Sequence, residues 1–193
     1  MLKVTRPTPS HFGIFVTDLE RMVAFYTETF DLTITDRGEG RTFKNQLVFT
    51  SASPDQHHQL VLASGRPPEA KFSTVMQISF VVPSIQHLRD ISARAEARGA
   101  TSIRGLNHGN ALSVYMLDPE GNTVEIYVDT PFYIAQPHGD PLDLSKDDET
   151  LMRETEEACR RDPTFMPLAQ WKAQFEAQSP SSTASTAPTA SAA

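Results

Sequence analysis

A single cysteine, Cys159, is all the chain has, so no disulfide can form within it. That fits a reducing compartment. No apolar run approaches the roughly 20 residues that span a bilayer. The first ten residues, MLKVTRPTPS, carry no apolar signal region, so a cytoplasmic protein without a membrane partner is expected. Basic residues are scarce: 17 Lys and Arg stand against 24 Asp and Glu, for a net charge of −7. Nucleic-acid affinity comes largely from Lys and Arg on phosphates, so a nucleic-acid partner is not expected either. Much of the acidic excess sits in KDDETLMRETEE (146–157), which reads as a local acidic helix. The last fifteen residues, SPSSTASTAPTASAA, have neither charge nor a large apolar side chain. They cannot offset the entropy of ordering, and a disordered tail over 179–193 is expected.

What is present is 39% apolar, enough for a core, and it is written twice. HFGIFVTDLERMVAFYTETF (11–30) and QISFVVPSIQHLRDISARAEARGA (77–100) each open with a short apolar run of strand type. Each then offers a small polar N-cap, Asp18 or Ser84, and an amphipathic helix. The buried stripes read Leu19, Met22, Val23, Tyr26, Phe30 and Ile85, Leu88, Ile91, Ser92, Ala95, at the three-four spacing of one apolar face. Gly99 is placed to end the second helix. Three strand-like runs follow each helix: LTITD (32–36), NQLVFTSA (45–52) and HHQLVLAS (57–64), then TSIRG (101–105), ALSVYML (111–117) and NTVEIYVD (122–129). The turn DPEGN (118–122) carries ordinary hairpin residues.

The expected fold is therefore α+β: two paired βαβββ modules forming a curved mixed sheet around a cleft, with C-terminal helices added. Its parts are an N-terminal extension (1–10), a first module (11–66), a second module (75–130), a crossing segment with helices (131–178) and the tail.

The repeat also aligns polar residues. From His11 to Gln77 is 66 residues, and from His58 to Glu125 is 67. Side chains alternate along a strand. If Val124, Ile126 and Val128 pack on the helix, Glu125 and Tyr127 face the cleft. By the same rule Gln77 and Ser79 face it from one module, and His11 and Gly13 from the other. The alternation is less telling for His58. A lone His, Gln or Glu in a strand is ordinarily hydrogen-bonded core or surface. Four at matched repeat positions favour a metal site, because imidazole nitrogen and carboxylate oxygen are ligands of divalent transition metals and Gln can add a carbonyl oxygen.

These residues resemble the vicinal oxygen chelate superfamily of glyoxalase I, fosfomycin- and bleomycin-resistance proteins and type I extradiol dioxygenases. The resemblance runs from about His11 to Asp129. Within that group the stretch NHGNALSVYMLDPEGNTVEIYVDTPFY (107–133) is most similar to extradiol ring-cleavage dioxygenases, which show a similar HG, a Tyr, DP-x-x-x-x-EIY and an aromatic-rich exit. The resemblance implies Glu125 and His11 as iron ligands, His58 as the acid/base histidine, and Tyr115 and His108 as substrate-contacting residues. It departs at one place: the family's second histidine, in a motif like H-x-A-F, is Gln77 in Gln77-Ile78-Ser79-Phe80. A glutamine ligand is known in the glyoxalase branch. The ligand set is thus His11, Gln77 and Glu125, or else His11, His58 and Glu125 with Gln77 only hydrogen-bonding.

The resemblance implies a non-haem Fe(II) enzyme, with Mn, Zn or Ni as alternatives. Its partners would be a small catechol-like substrate and O2, and its state a homodimer. A glyoxalase-like isomerase or lyase, and a metal-free ligand-binding protein of the resistance kind, are the other expectations. His57 reads as a surface strand residue, His87 as exposed, and His138 as part of the crossing segment. Trp171 and Phe175 read as packing or dimer contacts.

Overall fold

The computed structural model describes residues 7–70 and 72–178; the expected tail lies outside them. The first unit is β1 (Phe12–Val16), α1 (Leu19–Phe30), β2 (Thr33–Glu39), β3 (Gln46–Ser51) and β4 (Leu60–Ser64). The second is β5 (Ile78–Val81), α2 (Ile85–Ala97), β6 (Thr101–Asn107), β7 (Ala111–Leu117) and β8 (Thr123–Asp129). Then come β9 (Phe132–Tyr133), β10 (Asp140–Pro141), α3 (Asp148–Cys159), β11 (Met166–Pro167) and α4 (Leu168–Ala177). The acidic run is α3, as expected.

Two mixed sheets result, in the orders β1-β4-β3-β2 and β10-β6-β7-β8-β5, with β11 beside β9 in a third. In each large sheet the strand before the helix runs parallel to the last strand of its unit. The helices begin where the sequence places them. Asp18 accepts from the Arg21 amide and Ser84 from the His87 amide; such caps are worth about 1 kcal/mol each. Gly99 has φ +92° directly after α2, a conformation that glycine adopts at little cost. Both helices send their apolar stripes into one core that spans the two units, from Ile14 and Val16 through Tyr26 and Leu62 to Leu88 and Ile126. Phe30 stacks on Phe80 across the units with ring centres 4.1 Å apart.

The turn after β7 does more than close a hairpin. Glu120 accepts from the backbone amides of Thr17 and Asp18, at 2.7–2.9 Å. Arg66, following β4, donates to Asn122 at 2.9 Å. The DPEGN turn thus clasps the first unit at the start of α1.

The strand registers correct the sequence alignment in the fourth strand. Phe12 pairs with Leu60, and Ile78 with Val124. The first strands are 66 residues apart but the fourth strands only 64. Glu125 pairs with Ser79, and their counterparts are Val61 and Gly13. The repeat partner of Glu125 is therefore Val61, not His58. Strand β4 begins at Leu60, and both His57 and His58 lie in the loop before it. Pairing is set by backbone hydrogen bonds, which a count along the chain does not see when loop lengths differ.

Candidate metal centre

The second unit assembles its polar residues by register. Ser79 on β5, Glu125 on β8, Tyr115 on β7 and Arg104 on β6 lie in one row across four neighbouring strands. Arg104 reaches this row because the ladder is irregular between Thr101 and Arg104, where Ser102 has φ +55°. Such a bulge re-aims the side chains beyond it. Alternation read from TSIRG does not reveal Arg104, which lies over the Tyr115 ring at 5.6 Å.

Glu125 is the centre of this row and is only 7% exposed. Its Oε2 accepts from Gln77 Nε2 and from Ser79 Oγ, both at 2.7 Å. Tyr115 stands directly opposite Glu125 in the β7–β8 ladder. Burial, then the hydrogen bond to Glu125 and that carboxylate's charge, push the Tyr115 phenol up to about 12. It therefore stays protonated in neutral solution. The Tyr127 phenol is raised as well, by burial and then by the charges of Asp129 and Glu125.

His108 sits at the β6–β7 turn. Its Nδ1 is 2.6 Å from the carbonyl oxygen of His138. A carbonyl only accepts, so Nδ1 carries the hydrogen and the neutral ring presents its Nε2 lone pair. The Tyr115 hydroxyl is 3.1 Å from that nitrogen, and Glu125 Oε1 is 3.8 Å away. Gly109, at φ +77°, lets the turn pass against Ile134 and Cys159.

In the first unit His11 and His58 meet, with ring centres 4.1 Å apart. Burial lowers the His58 pKa, followed by the nearby charges of His11 and His57. His57 is exposed, as expected of a surface residue, but it is not a strand residue without partners. Its Nδ1 is 2.9 Å from His58 Nδ1 and its Nε2 is 2.8 Å from Asp36 Oδ2.

The structure thus brings together Gln77, Ser79, Tyr115, His108 and Glu125 in one group, and His11 with His58 in another. Among the described residues no hydrogen bond, ion pair or ring contact joins the groups, and no three His, Cys, Asp or Glu side chains are close enough to hold a metal. Neither ligand set, His11, Gln77 and Glu125 or His11, His58 and Glu125, is therefore assembled within one chain, because His11 and His58 meet in the first unit while Gln77 and Glu125 meet in the second. His87 is exposed. Trp171 lies between Tyr133 and Phe175 in a stack, with ring centres 5.4 and 5.5 Å apart.

The donors fit a divalent cation. Glu125 is buried, and among the described residues no Lys or Arg forms an ion pair with it; the neutral side chains of Gln77 and Ser79 donate to it. A buried carboxylate in such company gains from a cation beside it.

Residues 8–126 match the family described as Glyoxalase/Bleomycin resistance protein/Dioxygenase superfamily. Biphenyl-2,3-diol 1,2-dioxygenase 3 of Rhodococcus globerulus is 25% identical over 128 residues, 64% of this chain and 64% of that enzyme. An uncharacterised protein of Pseudomonas aeruginosa is 25% identical over 130 residues, covering 65% of this chain and 91% of its own length. The crystal structure of a glyoxylase/bleomycin resistance protein/dioxygenase domain from Frankia sp. EAN1pec superposes with a TM-score of 0.56 at 20% identity, over 65% of this chain and all of that one. FosX, a fosfomycin resistance protein from Listeria monocytogenes solved with Mn(II) and sulfate, gives 0.51 at 19% identity, over 65% of this chain and 95% of that one. At these identities the two structures speak to the fold.

Proposed function

The chain belongs to the glyoxalase/bleomycin resistance protein/dioxygenase superfamily, and we propose that it is an extradiol-type dioxygenase, cleaving the ring of a catechol-like substrate with O2 at an Fe(II) centre. The observation that carries this reading is the Tyr115–His108–Glu125 constellation. It sets a permanent hydrogen-bond donor and an imidazole of fixed tautomer beside a buried carboxylate. The likeness to a biphenyldiol dioxygenase supports the same reading.

Glu125 and His11 would hold the metal with Gln77. Bound there, iron supplies the chemistry that brings a diol and dioxygen together and passes electrons between them. The remaining work belongs to side chains. Tyr115, protonated through the neutral range, donates to a substrate oxygen. His108 accepts at Nε2 while the His138 carbonyl holds its other nitrogen. His58, with its pKa lowered, is neutral near pH 7 and takes a proton from the diol, the role of a general base.

A homodimer is part of the proposal. Phe15 on β1 and Val81 on β5 are 59% and 62% exposed, and Phe72 and Met76 between the units are 83% and 78% exposed. Apolar side chains gathered on two edge strands and their linker suit a second copy. Such a copy would bring His11 and His58 of one subunit to Gln77 and Glu125 of the other.

Gln77 favours a second reading, a glyoxalase-like isomerase, in which the metal acts only as a Lewis acid. Protein purified without oxygen decides between them. The dioxygenase reading expects bound iron and oxygen uptake with at least one member of a catechol panel. If no vicinal diol drives oxygen uptake by the iron-loaded protein, the isomerase reading replaces it.

A further inference from the structure

Strand β2 is irregular at one place. Ile34 pairs with Thr50, but Asp36 pairs with Phe49, so Thr35 is an extra residue in the ladder. Without it, Asp36 would lie opposite Val48, whose side chain is in the core. The bulge turns Asp36 instead onto the face of Phe49. The Phe49 ring stands edge-on to both His57 and His58, at 6.0 and 5.1 Å. On that face the three polar groups form a chain: Asp36 Oδ2 to His57 Nε2 at 2.8 Å, and His57 Nδ1 to His58 Nδ1 at 2.9 Å.

The hydrogens of this chain can be placed. An ionised carboxylate only accepts, so His57 Nε2 carries a hydrogen and donates it to Asp36. As the neutral imidazole, His57 then has a lone pair at Nδ1. The short contact to His58 requires a hydrogen between the two Nδ1 atoms, and His58 must supply it. His58 is thereby held as the Nδ1–H tautomer, with its lone pair at Nε2, which no hydrogen bond among the described residues uses. The His11 ring on one side and the Phe49 ring on another limit its rotation.

We propose that Asp36 and His57 are positioning residues that fix the tautomer and orientation of His58, so that its Nε2 is always the proton-accepting atom. The functional part of this inference rests on the reading of His58 as the proton carrier. The hydrogen-bond chain does not. The arrangement follows the general rule that the second nitrogen of a working imidazole is held by a partner that settles which nitrogen is free.

The test uses full-length protein labelled with 15N histidine. Long-range proton–nitrogen spectra report the tautomer of each ring, and His58→Gln identifies the His58 signals. Wild type is expected to show His58 with its hydrogen on Nδ1. His57→Phe removes the acceptor and is expected to shift His58 toward the Nε2–H form. His57→Gln, whose carbonyl can accept the same hydrogen, is expected to restore it, and Asp36→Ala to shift it in part. In catechol-dependent oxygen uptake by iron-loaded protein, His57→Phe should lose about tenfold or more in kcat with little change in KM, and His57→Gln should recover most of it. If wild-type His58 is not Nδ1-protonated, or if neither His57→Phe nor Asp36→Ala alters its tautomer, the proposal is wrong. If the tautomer moves as expected while kcat stays unchanged, the chain stands and the proton-carrier role of His58 falls.

Discussion

The Tyr26 hydroxyl donates to Asp118 Oδ2 at 2.8 Å across the junction of the two units, and both side chains are buried. Asp118 also accepts from the amides of Glu120 and Asn122 and from the Asn122 side chain. Burial raises the Asp118 pKa, although these donors pull against it. The pair ties α1 to the turn that also caps α1 through Glu120. Tyr26→Phe removes one donor to a buried carboxylate, and a loss of about 1–3 kcal/mol in unfolding free energy is expected. Urea titration measures it.

The same tyrosine sets the alkaline limit. Its pKa is raised well above 10.0, by burial first and then by the charge of Asp118. Above pH 10 the unfolded chain releases a proton that the folded one keeps. Stability therefore falls as pH rises, by up to about 1.4 kcal/mol per pH unit for one such group. Tyr26→Phe should show a shallower decline, retaining the part due to Tyr115, whose phenol is pushed up to about 12, and to Tyr127, whose phenol is also raised. Equal slopes between pH 10 and 11.5 for the two proteins would show that Tyr26 ionises without opposing the fold.

Gly109→Ala should reduce both stability and turnover. A Cβ there would meet Ile134 Cγ1 at 2.7 Å and Cys159 Sγ at 3.1 Å, on a backbone with φ +77°. Ile134 and Cys159 are fully buried and have little room to move. The expected cost is about 2 kcal/mol or more. The displaced turn is the one that carries His108, so kcat should fall along with the melting temperature. Stability lost with kcat intact would separate His108 from the chemistry.

Much of the fold was legible because each unit states its periodicities without conflict. The helix stripes, both N-caps and strand β7 follow from spacing alone. Glu125, Gln77 and Ser79 were legible as one face, since β5 and β8 have regular alternation. Where backbone geometry departs from a simple count, the sequence misleads. The bulges at Thr35 and at Ser102 decide where Asp36 and Arg104 point, and neither leaves a glycine as a marker. The pairing of His58 with Glu125 failed for a related reason: the strand begins at Leu60, two residues after His58. The role of Glu120 as a clasp depends on a contact more than one hundred residues away in sequence, and hairpin composition says nothing of it.

A site shared between copies predicts complementation. His11→Ala and Glu125→Ala should each be inactive, and Glu125→Ala should lose most of its metal, as the ligand set then lacks its charge. Mixed and allowed to exchange, half of the dimers carry one copy of each variant. In those, both defects fall on one site and the other is intact, so about a quarter of wild-type oxygen uptake should return. No recovery on mixing, with exchange shown by mass spectrometry, would place the whole site within a single chain.

Gln77→His tests the position where the sequence departs from the dioxygenase pattern. In the native site the Gln77 amide donates to both Glu125 and Ser79, so its nitrogen is committed and its oxygen is the atom left for a metal. Imidazole nitrogen is a better donor to Fe(II) than an amide oxygen, and the exchange leaves the ligand charge unaltered. Iron affinity is therefore expected to rise in the variant. Turnover need not follow, because the histidine cannot donate to Glu125 while it binds metal through the same nitrogen, and a loosened Glu125 weakens the Tyr115 and His108 alignment built around it. Iron titration of the metal-free proteins, run beside catechol-dependent oxygen uptake, separates the two effects. Unchanged iron affinity would show that Gln77 serves only to hold Glu125, and the ligand set would then be His11 and His58 from one copy with Glu125 from the other.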